Sequence, residues 1–201
     1  MEREEADRWE ELLTFHFLRK HPYTYYPGST RFSGSFTGTV EDREAERYYL
    51  YDYMPQSRGE TLTDAQKRVA RLVYAFKDGK VPGLVAKLMS LAVRRERQIL
   101  SPGKELALTC IPAATWERHK LRYERFSDDL ASRLKIANAT LDVLAPQWDR
   151  PQRKKGLSSN DVVLNGAYNS PEDIEGRDFL LFDDVYTTGR SARTAIRLLY
   201  S

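Results

Sequence analysis

The spacing of apolar residues predicts a helix, a loop and a strand in the N-terminal third of the chain. Residues 2–20 place apolar side chains at helical spacing among Glu and Arg, which predicts a helix. Tyr23–Gly38 is rich in Tyr, Ser, Thr and Gly, a composition typical of a loop or hairpin. The aromatic run Tyr48–Met54 predicts a strand, which Pro55 should end.

Two amphipathic helices are predicted in the next part of the chain. Thr63 and Gln66 have the spacing of a capping box, so we expect the first helix to begin at Thr63 and to end near Gly79. Its apolar face is predicted to consist of Val69, Leu72, Val73 and Phe76. The second helix is predicted from Gly83 to Ile99. Its apolar face is predicted to consist of Leu84, Leu88, Leu91 and Ala92.

After Ser101 the pattern changes, and short apolar runs alternate with helical segments. The predicted strands are Leu106–Ile111, Thr140–Leu144 and Phe179–Phe182. The predicted helices are His119–Lys135 and Gly189–Tyr200. The first of them is predicted to turn inward Leu121, Phe126, Leu130 and Leu134. The basic segment Pro146–Asn160 is predicted to be a mobile loop, and the order of elements is typical of a parallel α/β sheet.

Composition excludes several classes of protein. The chain has 201 residues and a net charge of +3, which is too small to indicate a nucleic-acid-binding protein by itself. The single cysteine, Cys110, excludes an internal disulfide and a cysteine-only metal cluster, and we expect it to be buried and inert. His16, His21 and His119 lack metal-ligand spacing and are expected to be structural or exposed. No apolar run approaches the roughly 20 residues that span a bilayer, and the acidic N-terminus is unlike a signal peptide, so a cytoplasmic location is expected.

The segment Phe179–Ser191, FLLFDDVYTTGRS, contains the most informative pattern in the chain. A buried strand leads into two adjacent acids, Asp183 and Asp184, and then into a turn that precedes a helix. Ligands of open α/β sheets bind beyond the carboxyl ends of strands, and unpaired amides at a helix start attract anions. The turn therefore suits a phosphate, and the acids suit sugar hydroxyls or a divalent cation reached through water. The predicted phosphate-binding residues are Thr187, Thr188, Gly189, Arg190 and Ser191.

This segment closely resembles the phosphoribosyl pyrophosphate (PRPP) signature of type I phosphoribosyltransferases, in which apolar residues and two acids precede T-T-G-x-S/T. Residues 71–80 (RLVYAFKDGK), 110–115 (CIPAAT) and 155–168 resemble the ComF-like branch of that family. The resemblance implies a type I phosphoribosyltransferase-like fold, a parallel sheet flanked by helices. It also implies a PRPP-binding domain at 63–201 and a helical and aromatic extension or hood at 1–62.

The family resemblance also implies roles for individual residues. Asp183 and Asp184 would act on the ribose as the catalytic acids. The loop after the first strand would bind pyrophosphate. Lys120 and Arg122 are near enough in sequence to assist, although exposed charges on a helix are the commoner explanation of such residues. That loop consists of Pro112, Ala113, Ala114 and Thr115. A flexible loop that closes over the site would contain Arg150, Arg153, Lys154 and Lys155. An ordinary basic loop exposed to solvent is an equally good interpretation of this segment. Mg²⁺ would be held through PRPP and water rather than by direct protein ligands.

The chain differs from the ComF-like pattern in three features. The chain lacks the four cysteines of the N-terminal zinc ribbon, so no zinc site is expected. Val162 stands where the branch has an arginine, and Arg122–Phe126 is a degraded form of the run R-G-F-N-Q. The chain ends at Ser201, where the family normally adds a strand, so we expect either a fragment or a short sheet.

Two functions follow from these observations. The first is a Mg²⁺-dependent phosphoribosyltransferase that moves phosphoribose from PRPP to a nitrogenous acceptor and releases pyrophosphate. The alternative is a non-catalytic adaptor or regulator that binds PRPP or single-stranded DNA. The enzyme is favoured because both acids and the whole turn are present, and an extended nucleic-acid surface is not favoured because the net charge is small. No membrane partner is expected. The oligomeric state stays open and includes a homodimer, and the sequence contains no motif that identifies the acceptor substrate.

Overall fold

The computed structural model describes residues 19–20, 48–51, 53, 62–95, 105–146, 162–164, 177–185 and 190–200. The N-terminal elements and the first two helices are β1 (Arg19–Lys20), β2 (Tyr48–Tyr49), α1 (Asp64–Lys77) and α2 (Pro82–Arg95). The elements that follow are β3 (Leu106–Cys110), α3 (Trp116–Leu134), β4 (Ala137–Asn138), β5 (Leu144–Pro146), β6 (Val162–Leu164), β7 (Asp178–Phe182) and α4 (Arg190–Tyr200).

A three-stranded parallel sheet, in the order β4-β3-β7, forms the centre of the described structure. β3 and β7 pair along their whole length, from Leu106 opposite Asp178 to Cys110 opposite Phe182. β4 pairs with the other edge of β3. The predicted class, a parallel α/β sheet flanked by helices, is confirmed. The predicted strands at Leu106–Ile111 and Phe179–Phe182 are β3 and β7.

The prediction of a strand at Thr140–Leu144 is wrong. β4 lies earlier in the chain, and residues 140–143 form a turn before β5 begins and pairs with β6 in antiparallel fashion. The side-chain oxygen of Asn138 accepts a hydrogen bond from the Thr140 amide (3.1 Å), and the Ala139 carbonyl accepts from the Asp142 and Val143 amides. These local bonds turn the chain because an Asn side chain offers the backbone an alternative to strand pairing.

Alternate residues of β3 and β7 enter two separate cores, one on each side of the sheet. The core shared with α2 and α3 receives Leu108, Cys110, Leu180 and Phe182. The core shared with α4 receives Ala107, Phe179 and Leu181, together with Ile111 just beyond β3. This period of two is the side-chain alternation of a strand, and burial on both faces explains why both strands are continuous apolar runs.

Helix starts follow their capping residues. The capping box at Thr63 and Gln66 is confirmed, since Thr63 Oγ1 accepts from the Gln66 amide and Gln66 Oε1 accepts from the Thr63 amide. α3 begins before the predicted start at His119 because the Thr115 hydroxyl accepts from the Arg118 amide (3.2 Å) and caps the helix. Among the described residues, no helix has the length and apolar character needed to cross a membrane.

Two leucines predicted to face inward lie outside the core instead. Leu91 of α2 is 39% exposed and Leu121 of α3 is 56% exposed. The buried side of α3 is set by His119, Tyr123, Phe126, Leu130 and Leu134, and Leu121 falls outside that stripe. Leu121 instead covers the turn between α1 and α2, where it approaches Gly79.

The N-terminal predictions are tested only where residues are described. Arg19 and Lys20 form β1, which pairs with Tyr48 and Tyr49 of β2, so the predicted helix does not extend to Lys20. The predicted strand Tyr48–Met54 is confirmed only over Tyr48–Tyr49, after which the chain bends at Leu50 and Tyr51. Both bend residues pack against Leu72 and Leu88 of the helical pair. The remainder of the predicted helix at 2–20 and the predicted loop at 23–38 lie outside the described residues.

The turn at Gly79 gives a prediction about stability. Gly79 has a φ of 70°, and an added Cβ would lie 2.8 Å from the Leu121 carbonyl oxygen. Gly79→Ala should lower the free energy of unfolding by about 2 kcal/mol, because an L-residue is strained in this region and the carbonyl cannot move freely. Urea denaturation measures the change.

Gly83→Ala is the matched control for this substitution. Gly83 lies in α2, and the nearest atom to an added Cβ is Asp129 Oδ2 at 3.5 Å, an ordinary contact. We expect this variant to be as stable as the parent, or more stable by up to about 1 kcal/mol, because alanine is the better helix former. Equal destabilisation by both substitutions would contradict the account of the Gly79 turn.

Candidate functional site

The acid pair Asp183–Asp184 lies at a switch point of the parallel sheet. From β3 the chain passes through α3 to β4 on one side, whereas β7 lies on the other side of β3 and leads towards α4. The segments that follow β3 and β7 therefore leave the carboxyl end of the sheet in opposite directions. The Ile111 amide donates to the Phe182 carbonyl (2.8 Å), which joins the two segments where they begin. Such a crevice is where open α/β sheets bind ligands.

Asp184 is held between two cations from different helices. Its Oδ2 lies 2.6 Å from Arg122 Nη1 of α3, and its Oδ1 lies 3.5 Å from Lys77 Nζ at the end of α1. The Asp184 side chain is only 7% exposed. The two cations compensate the charge of this carboxylate at close range, and the attraction between them is stronger where water is excluded.

Arg122 and Lys77 were not identified correctly by the sequence alone. The commoner explanation of Arg122, an exposed helix charge, is wrong, since its side chain is 16% exposed and contacts Asp184. The available signal was its position between His119 and Phe126, at the border of the apolar stripe of α3. Lys77 had a signal too, because it follows the buried Phe76 at the end of α1. Lys120, in contrast, is exposed.

Asp183 has no cation within salt-bridge distance among the described residues. Burial raises the pKa of its carboxyl to about 7, and the neighbouring Asp184 charge acts in the same direction. Hydrogen bonds from the amides of Asp184 and Val185, and the charge of Lys77, oppose this rise in pKa without cancelling it. Asp183 is therefore poised between its acid and its carboxylate near neutral pH, and it can give or take a proton or accept a ligand hydroxyl.

A buried histidine holds the segment after β3. The Ala113 amide donates to His119 Nδ1 (3.4 Å), and His119 Nε2 lies 3.3 Å from the Thr140 carbonyl. Burial and, to a smaller extent, the charge of Arg122 lower the pKa of His119 to about 4, against the opposing effect of the hydrogen bond to the Thr140 carbonyl. The neutral ring with its proton on Nε2 satisfies both contacts. His119 is thus structural, one of the two roles expected for it, while His16 and His21 lie outside the described residues.

The predicted pyrophosphate loop Pro112–Thr115 lies beside the acid pair, but part of its hydrogen-bonding capacity is already used. Pro112 has no amide hydrogen, the Ala113 amide is engaged by His119, and the Thr115 hydroxyl caps α3. Among the described residues, the amides of Ala114 and Thr115 donate to no backbone carbonyl. An anion bound here would rely on these two amides and on the first turn of α3.

Much of the predicted phosphate turn lies outside the described residues. This applies to Thr187, Thr188 and Gly189, and to the side chain of Arg190. Ser191 is partly buried in the first turn of α4, where the neighbouring Ala192 packs into the second core. The predicted flexible loop also lies outside, with Arg150, Arg153, Lys154 and Lys155.

The residues around the acid pair fit Mg²⁺ only in one way. Within the described ranges, no three His, Cys, Asp or Glu side chains are close enough to hold a metal ion. Asp184 is paired with Arg122 and Lys77, so Asp183 is the carboxylate open to a cation as long as this pairing holds. This donor set suits a Mg²⁺ ion that keeps its waters and is held mainly by phosphate oxygens of a ligand.

Cys110 is buried, as expected, and its surroundings make it inert. It is fully enclosed in β3, its sulfur lies 3.6 Å from Thr140 Oγ1, and burial raises the pKa of the thiol. A thiol that resists ionisation is a weak nucleophile. Cys110 therefore belongs to the core and not to the site.

An open cavity of about 510 Å³ adjoins the start of α3. It is lined by Trp116, Glu117, Lys120 and Leu141. These residues surround the amino end of the helix that follows the Pro112–Thr115 segment.

No protein-family model, curated protein or solved structure matches the chain. The interpretation of the site therefore depends on its own geometry and charges.

The buried carboxyl of Asp183 predicts a specific pH dependence of stability. Its pKa in the folded state is about 7, against 3.8 for an ordinary aspartate, so the folded protein binds a proton more tightly than the unfolded chain. The resulting stabilisation is fully present below pH 4 and is lost as the pH rises through 7. Asp183→Asn should therefore raise the free energy of unfolding by about 2 kcal/mol at pH 8 and much less at pH 5.

Urea denaturation at the two pH values measures this effect. Asp78→Asn is the control, because the Asp78 side chain is 61% exposed beside Lys80 and should make the same small contribution at both pH values. If Asp183→Asn were equally destabilising at pH 5 and pH 8, the Asp183 carboxyl would not be in the environment described above.

Proposed function

We propose that this protein is a Mg²⁺-dependent phosphoribosyltransferase of the type I fold, similar to the ComF-like branch. It would transfer phosphoribose from PRPP to a nitrogenous acceptor and release pyrophosphate. The observation that carries the proposal is the position of Asp183–Asp184 and Pro112–Thr115 side by side at the switch point of a parallel sheet. The signature segment and this crevice, taken together, suit a ligand with a sugar between two phosphate groups.

The ribose would lie against the acid pair. As the bond from the anomeric carbon to pyrophosphate breaks, the ribose ring gains positive charge, and carboxylates beside it favour that state. Asp183 would accept a ribose hydroxyl, and its proximity to Asp184 would fix the orientation of the sugar. Bound Mg²⁺ would supply charge stabilisation to the departing pyrophosphate.

The 5-phosphate and the pyrophosphate would occupy opposite ends of the crevice. The phosphate would bind in the turn that precedes α4, where the hydroxyls of Thr187, Thr188 and Ser191 are predicted donors. The pyrophosphate would approach the amides of Ala114 and Thr115 at the start of α3. The basic segment 150–155 would close over the ligand and exclude water, since hydrolysis of PRPP competes with transfer.

Pyrophosphate release from PRPP and Mg²⁺ tests the proposal with a panel of purine, pyrimidine and amide acceptors. Release by the wild-type protein should fall roughly 100-fold or more in Asp183→Asn, because the variant loses one of the two carboxylates beside the ribose, the one that has no cationic partner among the described residues. Since this variant is expected to be more stable than the wild type at pH 8, lost activity could not be ascribed to unfolding. Asp78→Asn should keep the wild-type rate.

Other outcomes would point to the alternative function. PRPP binding without release, with every acceptor, would favour a PRPP-dependent regulator. Salt-sensitive binding of single-stranded DNA that is unaffected by Asp183→Asn would favour an adaptor. Absence of both PRPP binding and release in the wild-type protein would overturn the proposal.

A further inference from the structure

The contacts of Asp184 reveal a second feature of the site. Arg122 and Lys77 both face this one carboxylate, so these three side chains carry two positive charges and one negative charge. The neighbouring Asp183 adds a second negative charge only in its ionised form. Arg122 comes from α3 and Lys77 from the end of α1, and the two meet beside the carboxyl end of β7. A single aspartate does not use the binding capacity of two cations.

Arg122 carries an unused donor. One of its terminal nitrogens, Nη1, donates to Asp184, whereas its Nε–H is buried and has no hydrogen-bond partner within the described part of the chain. A buried donor without an acceptor is costly and rare, so it calls for an explanation. The planar guanidinium offers pairs of donors that match two oxygens of a phosphate, which makes a polyphosphate a suitable acceptor.

Lys77 supplies the accessible side of the cluster. Its side chain is 33% exposed and its Nζ is 3.5 Å from Asp184, a distance at which the ammonium group is only loosely held. The lysine can turn to a new anion at little cost, because the ammonium is a compact charge on a flexible stem. Arg122, which is more deeply buried, would provide the fixed part of the site.

We propose that Lys77 and Arg122 form a binding site for an anion of the pyrophosphate class, and that Asp184 occupies this site in the ligand-free protein. The inference rests on the proposed function, since PRPP carries such a group. Asp184 and the incoming anion compete for the same two cations. Binding therefore requires the Asp184 carboxylate to find new partners, either hydroxyls of the ligand or a divalent cation that enters with it.

This exchange makes anion binding depend on the divalent cation. Without the cation, the Asp184 carboxylate remains between Arg122 and Lys77 and repels pyrophosphate. With Mg²⁺ present, the negative charge of Asp184 is compensated and both cations become available. The site thus favours a metal-bound polyphosphate over the free anion.

Binding of inorganic pyrophosphate in metal-free buffer, measured by isothermal titration calorimetry, tests the inference. Asp184→Asn should bind pyrophosphate at least tenfold more tightly than the wild type, because a repelling charge is removed and two cations lose their partner. Mg²⁺ should strengthen pyrophosphate binding markedly in the wild type and much less in this variant. The same substitution should abolish pyrophosphate release from PRPP, so binding and turnover change in opposite directions.

Further substitutions assign the effect to the two cations. In the Asp184→Asn background, Lys77→Met and Arg122→Met should each weaken pyrophosphate binding roughly tenfold, since each removes one charge-assisted contact. Lys80→Met is the matched control, because Lys80 is 70% exposed, pairs with Asp78 and does not contact the site. It should leave pyrophosphate binding unchanged.

If Asp184→Asn is too unstable for calorimetry, the effect of pyrophosphate on its melting temperature provides a second measurement of binding. Two cations without their partner lower stability, so the variant should melt below the wild type. Pyrophosphate should then raise its melting temperature more than that of the wild type. A variant that melts low and gains nothing from pyrophosphate would show that the cluster is only a structural ion pair, and the inference would be wrong.

The two proposals can fail separately. If the wild-type protein releases no pyrophosphate from PRPP but Asp184→Asn still binds pyrophosphate more tightly, the anion site stands and the transferase function falls. If PRPP is cleaved but Asp184→Asn binds pyrophosphate no better than the wild type, the transferase stands and the anion site at Lys77 and Arg122 falls.

Discussion

The parallel pairing of β3 with β7 is the constraint on which the rest of the described structure depends. It fixes the register from Leu106 opposite Asp178 to Cys110 opposite Phe182, and the bond from the Ile111 amide to the Phe182 carbonyl extends it. This register decides which segments meet at the sheet edge. It also sends alternate side chains into the two cores, so a slip of one residue would exchange both cores and move the acids away from Arg122.

Two adjacent acids at this edge have opposite electrostatic surroundings. Asp184 is neutralised by Arg122 and Lys77, whereas burial and the nearby Asp184 charge raise the pKa of Asp183 to about 7. The pair therefore contains one carboxylate held between two cations and one carboxyl whose pKa lies near neutrality. A buried carboxyl with a raised pKa beside a second charged group is typical of functional sites.

Local signals made much of the fold predictable. The capping box at Thr63, the glycine at position 79 and the apolar runs of β3 and β7 each depend on residues close together in sequence, and the structure confirms them. The failed predictions depended on packing between distant elements. Leu121 looks apolar and inward by spacing, but the position of the α1–α2 turn decides which side of α3 is covered. The strand expected at 140–144 was displaced by the side-chain hydrogen bond of Asn138.

The sequence predicted some residues of the candidate site but not the contacts between them. Asp183 and Asp184 stand out because an apolar strand directly precedes them. Their partners Lys77 and Arg122 could not be assigned, because no local pattern states which charge on one helix meets a carboxylate after a distant strand. His119 shows the same limit, since its role as a link between Ala113 and Thr140 depends on the positions of three separate segments.

The pairing of β3 with β7 also has a consequence for the order of folding. The two strands are separated by about seventy residues along the chain, whereas α2, α3 and β4 lie close to β3 in sequence. Contacts between distant segments form late in folding, because a long loop must close before they can form. We expect α2, α3 and β4 to assemble with β3 first, while the edge of β3 that pairs with β7 is still unpaired. An unpaired edge of this kind can recruit strands from other molecules, so newly made chains are most prone to self-association before β7 docks.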